Sequence, residues 1–161
     1  MVQDTARVYL RNSTAPYAIV DSAKAQLSNA GTGVFTFANA VNGINYYIQL
    51  THRNSIETWS KSVQTFAGNS LTYNFTSADT QAYGNNIKQV DASPVRFAIF
   101  SGDVNQDGTV DATDLSRVDN DAFNSLSGYV NADVTGDDFV DAQDVSIVDN
   151  NAFNSVSAVT P

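Results

Sequence analysis

The sequence predicts a mainly β protein with a small α part: an N-terminal antiparallel β-sandwich over residues 1–100, then two loop-helix repeats over residues 101–161. Three observations carry this. Short runs rich in β-branched and aromatic residues fill the first hundred positions, a 25-residue segment occurs twice after them, and charge divides sharply between the two parts. Residues 1–102 carry five acidic residues against seven Lys/Arg, a net of +2; residues 103–161 carry twelve Asp against Arg117 alone, a net of −11.

In order, ARVYLRN, YAIVD, KAQLSN, VFTFAN, NYYIQLTHR, IETWS, SVQTF, SLTYNF and VRFAIFS read as strands, separated by TAP, NAGTG, NGI and AGN, which is turn chemistry. Many short strands without a long helical pattern argue for a sandwich. SADTQAYGNN is the stretch expected to form a helical turn or a long loop. FAIFS runs into GDVN without a Pro- or Gly-rich linker, so the two parts are expected to pack rigidly together.

DVNQDGTVDATD, residues 103–114, crowds four aspartates and an asparagine into twelve positions. Asp103, Asn105, Asp107, Thr109, Asp111 and Asp114 stand at positions 1, 3, 5, 7, 9 and 12, with Gly108 at position 6. A calcium loop offers side-chain oxygens at 1, 3 and 5, a backbone carbonyl at 7, a water-mediated contact at 9 and a closing carboxylate at 12, with glycine at 6 for the sharp turn. The closing residue here is Asp, one methylene shorter than the usual Glu. DVTGDDFVDAQD repeats the pattern thirty residues later, and residues 103–127 and 133–157 share 16 of 25 positions. Asp133, Thr135, Asp137, Phe139 (through its carbonyl), Asp141 and Asp144 are the corresponding ligands. Thr135 is neutral and Asp138 replaces the glycine at 6, where a left-handed backbone is costlier, so the second site is expected to be the weaker. After each loop, Leu115, Val118 and Ala122, and likewise Val145, Val148 and Ala152, recur at helical spacing. Phe123 and Phe153, at equivalent places near the helix ends, are expected to share a small core.

This duplicated loop-then-helix motif with Asp at position 12 resembles a type I dockerin domain over roughly residues 101–157. The resemblance implies an extracellular, noncatalytic module that folds around two calcium ions and docks onto a cohesin-like protein partner. The calcium positions follow the family pattern. Its Ser/Thr-type recognition pair at positions 10 and 11 is replaced by Ala112 and Thr113, then Ala142 and Gln143, and basic residues along the helices are reduced to Arg117. GVFTFANAVNGINYYIQL in addition resembles the prealbumin-like, carboxypeptidase-regulatory-like sandwich repeats of bacterial surface proteins.

The acidic segment without metal should repel itself and lose structure. Its charge argues against a nucleic-acid partner, since no basic stripe would meet phosphate. No cysteine is present, leaving calcium as the candidate staple. No apolar run approaches the ~20 residues of a membrane span, and MVQDTARVYL lacks the apolar core of a secretion signal, so a signal was removed or Met1 is an added start. His52, the one histidine, lies beside Arg53, Glu57 and Trp59; with no cysteine and a single glutamate, no catalytic constellation assembles and no enzyme is expected. Tyr46, Tyr47, Trp59, Tyr73 and Tyr83 offer an alternative, a sugar-stacking face for polysaccharide. A further alternative is a filament subunit, MVQDTARVYL or VSAVTP adding a strand to a neighbouring copy.

Overall fold

In the computed structural model of this protein, residues 4–161 are described. The chain is mainly β with two helices. The principal sheet is antiparallel, with strands β1 (Thr5–Asn12), β2 (Ile19–Gln26), β3 (Asn45–His52), β4 (Ser55–Trp59) and β5 (Gln64–Thr65). Its order is β2-β1-β3-β4, and β5 continues the β4 edge by pairing with the start of β3. Alternation sets the buried face: Ala6, Val8 and Leu10 of β1 point inward, and Tyr46 and Ile48 of β3 join them. His52 pairs with Ser55, so β3 and β4 are joined by a two-residue turn made of Arg53 and Asn54.

Several expected strands merge or vanish. YAIVD and KAQLSN are one strand, β2, and SVQTF contributes only Gln64–Thr65. VFTFAN and SLTYNF form no ladder. Their aromatic residues pack through rings instead, Phe37 edge-on to Phe66 at 6.3 Å and Tyr73 against Phe75 at 4.8 Å. Of the segment that resembles prealbumin-like repeats, only its Asn45–Leu50 end is strand. SADTQAYGNN forms two single 3₁₀ turns, Asp79–Gln81 and Tyr83–Asn85. Lys88–Ala92 (β6) pairs with Val95–Ala98 (β7) in a separate two-stranded sheet. β6 was not expected, because KQVDA is exposed throughout and carries no buried alternation. Of the terminal segments proposed for strand exchange, Met1–Gln3 lie outside the described residues.

After β7 the chain runs along the edge of β4: Ile56 N–H donates to Phe100 O at 2.9 Å, and Gly102 N–H to Asn54 O at 2.7 Å. It then enters the first acidic loop and α1 (Ala112–Phe123), and the second loop and α2 (Ala142–Phe153). Both helices start alike. Asp111 caps α1 by accepting from Thr113 N–H at 2.7 Å while Asp114 returns a carboxylate oxygen to Asp111 N–H at 3.1 Å; Asp141, Gln143 and Asp144 repeat this at α2. These capping boxes satisfy donors the helix itself leaves free.

The core between the repeats is small and aliphatic: Val104, Val110, Val118, Ala132, Val140, Val148 and Val156. Ile56 of β4, fully buried, belongs to the same cluster. Full burial of such a side chain stabilises by about 1.5–3 kcal/mol, so the sheet supplies part of the repeats' core. Phe123 and Phe153 do not contribute. They are 88% and 87% exposed, correcting the expectation of a shared aromatic core. Each sits on the last turn of its helix, one position past the Ala122 or Ala152 that faces inward, and so points to solvent.

Candidate metal centre

Each loop is wound by its own side chains. In the first, Asp103 accepts Asp107 N–H and Gly108 N–H, both at 3.1 Å, on its two oxygens. Asp114, fully buried, accepts Val104 N–H at 2.9 Å and Asn105 N–H at 3.1 Å on the oxygen that does not serve the cap. Asp133 and Asp144 do the same in the second loop, Asp133 toward Asp137 and Asp138, Asp144 toward Val134 and Thr135. The short Asp at position 12 therefore organises the loop and caps the helix with one carboxylate.

Glycine usage is explained by two left-handed positions per loop. Position 6 has φ of 91° at Gly108 and 74° at Asp138; position 4 has φ of 62° at Gln106 and 74° at Gly136. Each loop thus spends one glycine and tolerates one side chain in this region, so the backbone penalty expected for the second loop from Asp138 is matched by Gln106 in the first. Gln106 uses its side chain to donate to Asp103 O at 2.6 Å.

The loops cross-connect. Thr109, at position 7 of the first, bridges to Ser157 beyond α2, and Phe139, at position 7 of the second, bridges to Ser127 beyond α1. Val110 N–H donates to Val156 O at 2.8 Å and Val140 N–H to Leu126 O at 2.9 Å. The thirty-residue offset between these pairs makes the arrangement an internal two-fold exchange.

Asp103, Asp107 and Asp114 bring one carboxylate oxygen each to within 4.8 Å of one another. Among the described residues, the second loop has no such three-carboxylate cluster; Asp133, Asp137 and Asp144 are less convergent. Asn105 and Thr109 lie inside the first loop, with Asn105 Nδ2 on Asp107 Oδ2 at 2.7 Å. Asp111 and Asp141 spend an oxygen on their helix caps, and Thr135 Oγ1 lies 3.3 Å from Asp133 Oδ1. Burial pushes the Asp103 carboxyl up, Gly108 N–H opposes this, and the nearby Asp114 and Asp107 charges add to the rise. An oxygen-only donor set in which buried carboxylates face one another fits a hard divalent cation, whose charge would relieve that repulsion.

Residues outside the loops also reach the site, and the sequence reading did not single them out for it. Asn54 Nδ2 donates to Asp133 O at 2.8 Å, and Arg53 donates to Val130 O and lies 3.7 Å from Asp133 Oδ2. Their positions at a hairpin tip, far away in sequence, gave no local signal.

His52 Nε2 is 2.8 Å from Asp4 Oδ2, and its Nδ1 is 3.0 Å from Asn54 Oδ1 and 3.3 Å from Ser55 Oγ. This order of carboxylate, imidazole and hydroxyl resembles a catalytic relay, but Ser55 is buried and does not line the 210 Å³ groove that His52 borders. Both ring nitrogens are engaged structurally. Burial works against the Asp4 carboxylate, yet the Tyr129 hydroxyl, Thr5 N–H and His52 outweigh it and hold its pKa at about 2. A carboxyl depressed on folding contributes stability above its unfolded value of 3.8 and loses it as pH falls through about 2. Acid titration of stability between these values should therefore be shallower in Asp4→Asn than in the parent; identical curves would contradict the assignment.

The sugar-stacking alternative fares poorly. Trp59 and Tyr46 are buried, Trp59 packed edge-on against Tyr17 and Tyr47 with its indole N–H on Glu57 Oε1 at 3.0 Å. No described helix is long and apolar enough to cross a membrane.

Residues 101–152 match the family model of the Dockerin type I domain, which supports a dockerin-like, calcium-binding segment of the kind that docks onto cohesins. No curated protein and no solved structure matches the chain.

Proposed function

We propose that this is a noncatalytic extracellular protein, exported by a bacterium, in which a β-sandwich scaffold, residues 1–100, carries a docking domain, residues 101–161. The domain binds two calcium ions, the first through Asp103, Asn105, Asp107, Thr109, Asp111 and Asp114, the second through Asp133, Thr135, Asp137, Phe139, Asp141 and Asp144. The observation that carries this reading is the convergence of three carboxylates in a loop whose repeat matches the dockerin family. Calcium neutralises the acidic loops and fixes the helices as a docking surface, and assembly follows through a cohesin-like receptor or another copy of the chain.

The exposed Phe123 and Phe153 are the largest apolar side chains that the two helices offer, at equivalent places beside Asp119, Asn120, Asp149 and Asn150. Aromatic side chains in such settings commonly anchor interfaces. Sedimentation with millimolar calcium, alone and with a cohesin, tests the reading. A calcium-dependent complex or self-assembly is expected. Replacing both Phe residues by Ala should abolish it while changing stability by no more than about 0.5 kcal/mol, as for exposed side chains generally. A calcium-independent monomer that captures no cohesin would refute the docking role.

A further inference from the structure

The turn between β3 and β4 places a fixed positive charge against one acidic loop and not the other. Arg53 is 10% exposed and held on three sides: its Nε lies 3.1 Å from Asp4 Oδ2, it donates to Val130 O, and its guanidinium carbon stacks 4.6 Å from the Tyr129 ring centroid. The remaining arm stands 3.7 Å from Asp133 Oδ2, the first position of the second loop, whose side chain is 1% exposed. Asp103, the equivalent carboxylate of the first loop, has no Lys, Arg or His nitrogen within 4 Å among the described residues.

We propose that Arg53 lowers the affinity of the second loop for calcium, so that the N-terminal sheet adds to the inequality of the two sites. This rests on the calcium reading above. A guanidinium so close to a buried carboxylate offsets part of the charge that would attract a divalent cation and repels that cation directly. It also stabilises the cation-free loop by pairing Asp133, and Asn54 supports the same state by holding the Asp133 carbonyl. Asp4 moderates the effect, since it balances Arg53 from the far side. With the backbone penalties of positions 4 and 6 shared between the loops, the difference between the sites falls on Thr135 and on Arg53.

Calorimetric calcium titration of full-length variants tests this. The second site is read in an Asp103→Ala background and the first in an Asp133→Ala background. Adding Arg53→Gln should tighten the second site roughly tenfold, the scale of one unit charge acting on a dication at partly screened distances, and leave the first within twofold. Arg53→Lys, which keeps the charge, should stay near the parent value. Asp4→Asn, which leaves Arg53 intact and uncompensated, should weaken the second site. An unchanged or weaker second site in Arg53→Gln, with Asp4→Asn also without effect, would overturn the proposal while leaving calcium binding itself standing. Absence of calcium binding in the parent protein would overturn the calcium reading and this inference with it.

Discussion

Excess chelator is expected to unfold the loop-helix pair, with loss of the helical far-ultraviolet signal and a marked drop in melting temperature. Two effects combine. The segment from residue 103 onward carries a net charge of −11, and four aspartates within it, Asp103, Asp114, Asp133 and Asp144, are buried. Each cation bound only by the folded form adds RT ln(1 + [L]/Kd), about 2.7 kcal/mol per site at a hundredfold excess over Kd. Two such sites amount to about 5 kcal/mol, comparable with the whole stability of many domains. Asp103→Ala should cost more than Thr135→Ala. It deletes one of the three converging carboxylates and frees the N–H groups of Asp107 and Gly108, whereas Thr135→Ala loses one long contact to Asp133. A chelator that leaves melting and circular dichroism unchanged would exclude the mechanism, and equal effects of the two substitutions would contradict the order of the sites.

Ile56→Ala is expected to destabilise the loop-helix pair from outside it. The side chain is fully buried in the cluster that includes Val110, Val118, Val140 and Val148, although it grows from a strand of the sheet. Truncation there removes apolar contact and leaves a cavity, a change that typically costs about 2–5 kcal/mol. Denaturation followed both by Trp59 fluorescence and by the helical signal should give one shared transition in the parent. In the variant, the helical transition should move to clearly lower denaturant. An unmoved helical midpoint would mean that the repeats carry their own core without the sheet.

The metal loops were the most legible part of the sequence, because their chemistry is local. Helical periodicity after each loop gave the helices, which appear where expected, and spacing within twelve residues singled out the aspartates of which three, Asp103, Asp107 and Asp114, gather in the first loop. What was not legible depends on neighbours distant in the chain. Phe123 looked like core because it is large and apolar, yet its place on the last turn points it to solvent. VFTFAN looked like a strand, yet no partner ladder reaches it. Arg53 read as the end of the strand NYYIQLTHR beside His52 and Asn54 carried no assignment, and their contacts with Val130 and Asp133 arise only once β3 and β4 are folded. The role of Gln106 was hidden for a different reason: its left-handed backbone resides at a position where glycine is absent.

The crossed bridges give chain direction a consequence. Leu126–Gly128, which close the second loop, precede it and are already made when Phe139 and Val140 emerge during synthesis. Val156–Ala158, which close the first loop, follow it by more than forty residues, since Thr109 waits for Ser157 and Gly108 O for Ala158 N–H. The loop with the denser carboxylate cluster is thus the one completed last, and shortening the chain ahead of Ser157 would open the first loop while sparing the direct backbone closure of the second.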